Sequence, residues 1–123
     1  MRRDMDLVRR ILMETETRTR PFDSGDLVDE RHGSDEVAYH VRIMKQAGLL
    51  DAILASDLSL NQSATVLGLT WDGQDFLDAV RNDGVWQKIK RGLSDGVKSV
   101  GFDSIKKVAV SLGTAALEAQ LGL

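Results

Sequence analysis

The chain has no cysteine. Disulfides, thiolate zinc ligands and cysteine nucleophiles are therefore excluded, and the composition fits a reducing compartment. Two histidines without cysteine are a poor start for a zinc site, so neither a metal nor another cofactor is expected. Proline occurs once, at Pro21, and aromatics make up only 5% of the residues. No stretch approaches the ~18 consecutive apolar residues of a membrane span. The N-terminus, MRRDMDLVRR, is charged throughout and lacks the apolar run of a signal peptide. Cytoplasm is the expected location by elimination, and the membrane is not an expected partner. There is no glycine loop followed by Lys-Ser/Thr, and no serine has a histidine and a carboxylate in a recognisable context. An enzyme is not expected.

What remains is an ordinary globular composition: 123 residues, 42% hydrophobic and 28% charged, with net charge −3. That length suits one domain, or one domain with a helical extension. Charge is unevenly spread. Residues 1–84 hold ten Arg/Lys and sixteen Asp/Glu, whereas residues 85–123 hold six and three. The densest acidic block is 21–36, with Asp23, Asp26, Asp29, Glu30, Asp35 and Glu36 against Arg31 alone. Asymmetry of this kind concerns partners or self-association more than fold.

Residues 4–17 predict a first helix, with Leu7, Val8, Ile11 and Leu12 on one arc, Met5 at its margin, and Asp4 and Asp6 in the first turn. Pro21 ends it. Residues 22–33 offer Phe22, Leu27 and Val28 as anchors, and fit a short strand at 26–29 or one helical turn. Ser34 is the expected cap of a central helix whose inward arc is Val37, Val41, Met44, Ala47 and Ile43, with Ala38, Tyr39, Arg42, Lys45 and Gln46 outward. Gly48 stands where a left-handed residue ends a helix. Two apolar runs, 49–54 and 64–69, predict a β-hairpin. Thr70 caps a further helix, 71–82, and the sequence Asn82-Asp83-Gly84 breaks the chain before a glycine-interrupted helix from Val85. A last helix is expected over 104–121, with Ile105, Val108, Leu112 and Leu117 on apolar lines facing two directions. A homodimer through these C-terminal helices follows as an expectation.

The weaker constellations have structural explanations. His40 projects into the apolar arc and is expected as a neutral, hydrogen-bonded core histidine rather than a pH switch. His32 has no obvious partner. Asp72, Asp75 and Asp78 share a solvated helix face and do not converge on a cation. Trp71 is expected as a lid on the hairpin. The basic stripe of Lys88, Lys90, Arg91, Lys98, Lys106 and Lys107 is expected to meet the acidic part of the domain, its own or a second subunit's.

The order helix, extended piece, helix ending AGLL, hairpin, then LTWDG opening a helix resembles the winged-helix arrangement of bacterial regulators. Three segments, RRDMDLVRRILMETE, EVAYHVRIMKQAGLL and LTWDGQDFLDAVRNDGVWQKIK, also resemble the bacterial and phage domain-of-unknown-function family 2513 over roughly residues 2–90. The family usually has histidine where this chain has Gln74. The resemblance implies a mainly α fold with a small β-hairpin, a phage-related setting and no assigned reaction. Residues 1–83 are accordingly expected as a winged-helix-like domain and 84–123 as a C-terminal helical extension.

The expected function is a small non-enzymatic regulatory or interaction protein. As a DNA-binding regulator it would use Tyr39, Arg42, Lys45 and Gln46 on the central helix. Asp35 and Glu36 at the start of that helix, and a hairpin without lysine or arginine, work against phosphate binding. The alternative is an adaptor or inhibitor of an unidentified protein, acting through an acidic surface of Asp23, Asp26, Asp29 and Glu30 without binding DNA.

Overall fold

A computed structural model describes residues 1–56 and 62–94 of the chain. The chain divides into two compact units, Met1–Gln74 and Asp75–Leu123. Ile105, Val108, Leu112 and Leu117 lie outside the described residues, as does the whole 104–121 segment in which a helix is expected.

The first unit begins with α1, Met5–Thr17. Asp4 stands just outside this helix as its cap, and its carboxylate accepts from the Asp6 and Leu7 N–H groups. Leu7, Val8, Ile11 and Leu12 are buried, as the spacing predicts. Residues 22–33 depart from expectation. Strand β1 is Phe22–Asp23 and is followed by a 3-10 turn, Ser24–Leu27, so the strand lies upstream of 26–29. Phe22 and Leu27 are buried, but Val28 is exposed because the turn ends there and the chain leaves the core.

The second helix, α2, spans Ser34–Gln46. Its cap is Gly33, whose carbonyl accepts the Val37 N–H and which, lacking a side chain, makes no side-chain capping bond. Ser34 is thus the first helical residue rather than the cap. Val37, Ala38, His40, Val41 and Met44 are buried. Ala38 joins the core and Ala47 leaves it, contrary to expectation. The reason is that α2 packs on α1 and the 3-10 turn as well as on the sheet, which broadens its buried arc, while Ala47 falls at the exposed helix end.

Strands β2, Leu50–Ser56, and β3, Gln62–Leu69, form the expected hairpin. They belong to a three-stranded antiparallel sheet in the order β1-β3-β2. β3 is central, pairing with Phe22 and Asp23 on one side and with all of β2 on the other. β1 is only two residues long, and the Ser24 hydroxyl extends its pairing by accepting the Ala64 N–H at 3.2 Å. A bulge falls between Asp51 and Ala52, leaving Leu67 between the Val66 and Gly68 pairs. Ala52, Ala64 and Val66 turn into the core.

At the end of α2 the backbone makes a Schellman closure. Gly48 has φ 80°, its N–H donates to Lys45, and the Leu49 N–H donates to Met44 at 2.9 Å. Thr70 is fixed to the same corner. Its N–H donates to the Leu49 carbonyl, its hydroxyl donates to the Gly48 carbonyl, and its oxygen accepts the Gly73 N–H. Thr70 therefore caps α3, Trp71–Val80, as expected while holding the end of α2. Trp71, the first residue of α3, is not a lid: it is 84% exposed. In the second unit, the Asn82 side chain caps α4, Asp83–Ser94, through the Val85 N–H. Phe76, Leu77, Val80, Trp86 and Ile89 are buried there.

Gly73 has a steric reason to be glycine, since a Cβ would overlap the Leu49 carbonyl oxygen, a backbone atom. Gly73→Ala should lower stability by about 3 kcal/mol or more, although alanine is favoured over glycine by roughly 1 kcal/mol inside a helix. Urea unfolding measures this. A neutral or stabilising result would refute the close approach.

Candidate functional site

The outward side of α2 carries the four residues singled out in the sequence. Tyr39 and Arg42 are half-buried, whereas Lys45 and Gln46 are exposed. The Arg42 guanidinium lies over the Tyr39 ring, 5.4 Å from its centroid, and Tyr39 meets His40 edge-on. Stacking of this kind holds the guanidinium in place without a carboxylate. Among the described residues Arg42 and Lys45 make no ion pair, and the buried Nε of Arg42 has no hydrogen-bond partner. Arg10, by contrast, pairs with Asp29 at 3.4 Å, and Arg18 with Asp26 at 3.8 Å.

The acidic residues are exposed, and three of them also have structural work. Asp23 accepts the Gly25 N–H at 2.7 Å and starts the 3-10 turn. Asp26 takes the Arg18 ion pair. Asp29 accepts the Arg31 and His32 N–H groups and lies against Arg10. Glu30 is exposed beside them.

A polar junction that the sequence did not reveal joins α1, the 28–33 loop and α2. His40 is fully buried. Its Nε2 accepts the Asp4 N–H at 2.8 Å, and its Nδ1 lies 2.8 Å from the Glu36 carbonyl. A carbonyl only accepts, so Nδ1 carries the proton and the ring is neutral, matching the expectation of a satisfied core histidine. His32 has two partners where none was evident: Nδ1 is 3.2 Å from Asp29 Oδ1, and Nε2 is 3.2 Å from Asp4 Oδ2. An imidazolium donates to both carboxylates, whereas a neutral ring donates to one and turns a lone pair toward the other. Asp4, His32 and Glu36 each offer one ligand atom, all within 4.8 Å of one another. The one local signal was the i,i+4 spacing of Glu36 and His40 on α2. It lacked Asp4, which is 28 residues from His32.

The described residues thus define a small helical protein with a three-stranded antiparallel sheet, a cation-bearing helix face and a polar junction. No described helix is long and apolar enough to cross a membrane. The chain belongs to the family described as Hypothetical protein (DUF2513), whose model matches residues 2–100. It is also similar to an uncharacterized protein of Haemophilus influenzae, 34% identical over 116 residues that cover 91% of this chain and 95% of that protein. No solved structure matches.

Burial alone would raise the Asp4 carboxyl. The hydrogen bond from His32, those from the Leu7 and Asp6 backbones and the nearby His32 charge outweigh it, so the group sits below its ordinary value. Asp29 is lowered in the same way: desolvation opposes the shift, and the His32 and Arg31 backbones with Arg10 overcome it. A carboxyl depressed in the folded state stabilises the fold above its unfolded value of ~4 and loses that contribution as pH falls through the folded value. In chelator-containing buffer, the contribution of these two carboxylates to the urea midpoint should be lost as pH falls below about 4. Asp4→Asn keeps a capping oxygen but loses the charge, and should flatten part of that acid limb. An unchanged limb would refute the assignment.

Proposed function

We propose that the protein is a non-enzymatic regulator that binds duplex DNA through the outward face of α2, on a winged-helix scaffold. The scaffold reading rests on connectivity: α1, β1, a turn in the place of a second helix, α2, then a β2–β3 hairpin whose last strand pairs with β1. In that scheme α2 is the reading helix and the hairpin is the wing. One observation carries the binding assignment. Among the described residues Arg42 and Lys45 have no carboxylate partner on a unit that is otherwise rich in acid, and Arg42 is pre-positioned by Tyr39. A phosphate or guanine edge would be met by the exposed part of the half-buried Arg42 side chain and by Lys45. Asp35 and Glu36 in the first turn favour entry by the C-terminal half of α2, where Lys45 and Gln46 lie. The phage-related setting implied by the family resemblance suits such a regulator.

A second reading, a protein-binding adaptor, is favoured by apolar exposure. Trp71 is 84% exposed and Ile53 57%. Exposed tryptophans are frequent anchors of protein interfaces. On this reading the exposed acidic residues Asp23, Asp26, Asp29 and Glu30 supply an acidic surface for the partner.

Fluorescence anisotropy with labelled duplex DNA at low salt tests the first reading. Binding should appear, weaken steeply as salt rises, and fall by about tenfold or more in the Arg42→Ala, Lys45→Ala double variant. Absence of binding at low salt would overturn it, as would full affinity in the double variant.

A further inference from the structure

We propose that Asp4, His32 and Glu36 form a site for a first-row divalent cation such as Zn2+, pinning together the start of α1, the 28–33 loop and the first turn of α2. The three ligand atoms come from three separate segments yet lie within 4.8 Å of one another. Asp4 Oδ2 and His32 Nε2 are 3.2 Å apart. With metal–ligand bonds of about 2.0–2.2 Å, neighbouring ligands around a tetrahedral ion sit roughly 3.4 Å apart, so that edge is already close to size.

Each ligand atom is available. Asp4 uses Oδ1 to cap α1, which leaves Oδ2 for the ion. The Glu36 carboxylate is half-buried and takes no hydrogen bond or ion pair among the described residues. His32 is oriented from behind, with Nδ1 held at 3.2 Å by Asp29 Oδ1, and Asp29 is fixed in turn by Arg10. A carboxylate on the far nitrogen of a ligating imidazole sets its tautomer and directs the Nε2 lone pair to the metal. Asp29 is thus a positioning residue.

Charge points the same way. Asp4, Asp29 and Glu36 are three carboxylates, and Arg10 neutralises one of them. A neutral His32 leaves two negative charges, which one divalent cation balances. The ion takes the Nε2 lone pair in competition with protons, so affinity falls with acid. An imidazole in the ligand set selects Zn2+ and similar ions over Mg2+, which prefers oxygen and water. Three protein ligands leave a fourth position for water.

Tag-free protein stripped with chelator and titrated with Zn2+ by calorimetry, with thermal unfolding in parallel, tests the site. One ion per chain should bind, raise the unfolding midpoint and be reversed by chelator, while Mg2+ at the same concentration does neither. His32→Gln and Glu36→Gln should each weaken Zn2+ binding at least tenfold, and Asp29→Asn about tenfold. Should His32→Gln fail to fold, Glu36→Gln decides, because that carboxylate has no partner to lose among the described residues. Absence of saturable Zn2+ binding would overturn the site. So would unchanged affinity in Glu36→Gln, or an equal response to Mg2+.

Discussion

The corner at Gly48 and Leu49 is the constraint on which the rest of the first unit depends. A helix must satisfy its last carbonyls, and α2 does so by bending back through a left-handed glycine. That bend sets the direction of β2 and therefore the whole hairpin. The carbonyls of Gly48 and Leu49 remain unmet by α2, and Thr70, arriving from the end of β3, donates to both. One threonine thereby closes the hairpin, starts α3 and fixes both to α2. The missing side chain at Gly73 lets α3 begin against the Leu49 carbonyl.

The opposite end of α2 is held by polar chemistry rather than backbone closure. His40 reaches from the second turn to the Asp4 N–H, and Asp4 is itself the cap of α1. The entrance of one helix is therefore bonded to a buried ring on the next. A buried imidazole with both nitrogens satisfied adds specificity at little desolvation cost, whereas an apolar residue there would leave the Asp4 N–H unmatched. His32 continues the chain outward to Asp29 and Arg10. Asp29 and Glu36 of the acidic block 21–36 thus serve this junction, whereas Asp23 and Asp26 hold the 3-10 turn and the Arg18 ion pair.

Legibility followed the range of the interaction. The helices α1 and α2, the glycine closure and both hairpin strands were readable because period and caps are local properties. The buried arc of α2 was misjudged at Ala38 and Ala47, since packing partners on two sides, not the helix period, decide how wide that arc is. Trp71 was misread for a related reason: an aromatic beside a hairpin resembles a lid until its burial in the fold is known. His32 looked partnerless because one of its partners lies across the fold.

By itself, the amino-acid sequence determined the element types, the family and the candidate face of α2. Hydrophobic spacing, turn glycines and capping residues act within a few positions of one another. Only tertiary structure decided that β1 pairs with β3, that Arg42 stacks on Tyr39 without an ion pair among the described residues, and that Asp4, His32 and Glu36 converge. Those outcomes depend on distances between segments that the chain separates by up to some forty residues, as between Ser24 and Ala64, and no local pattern encodes such distances.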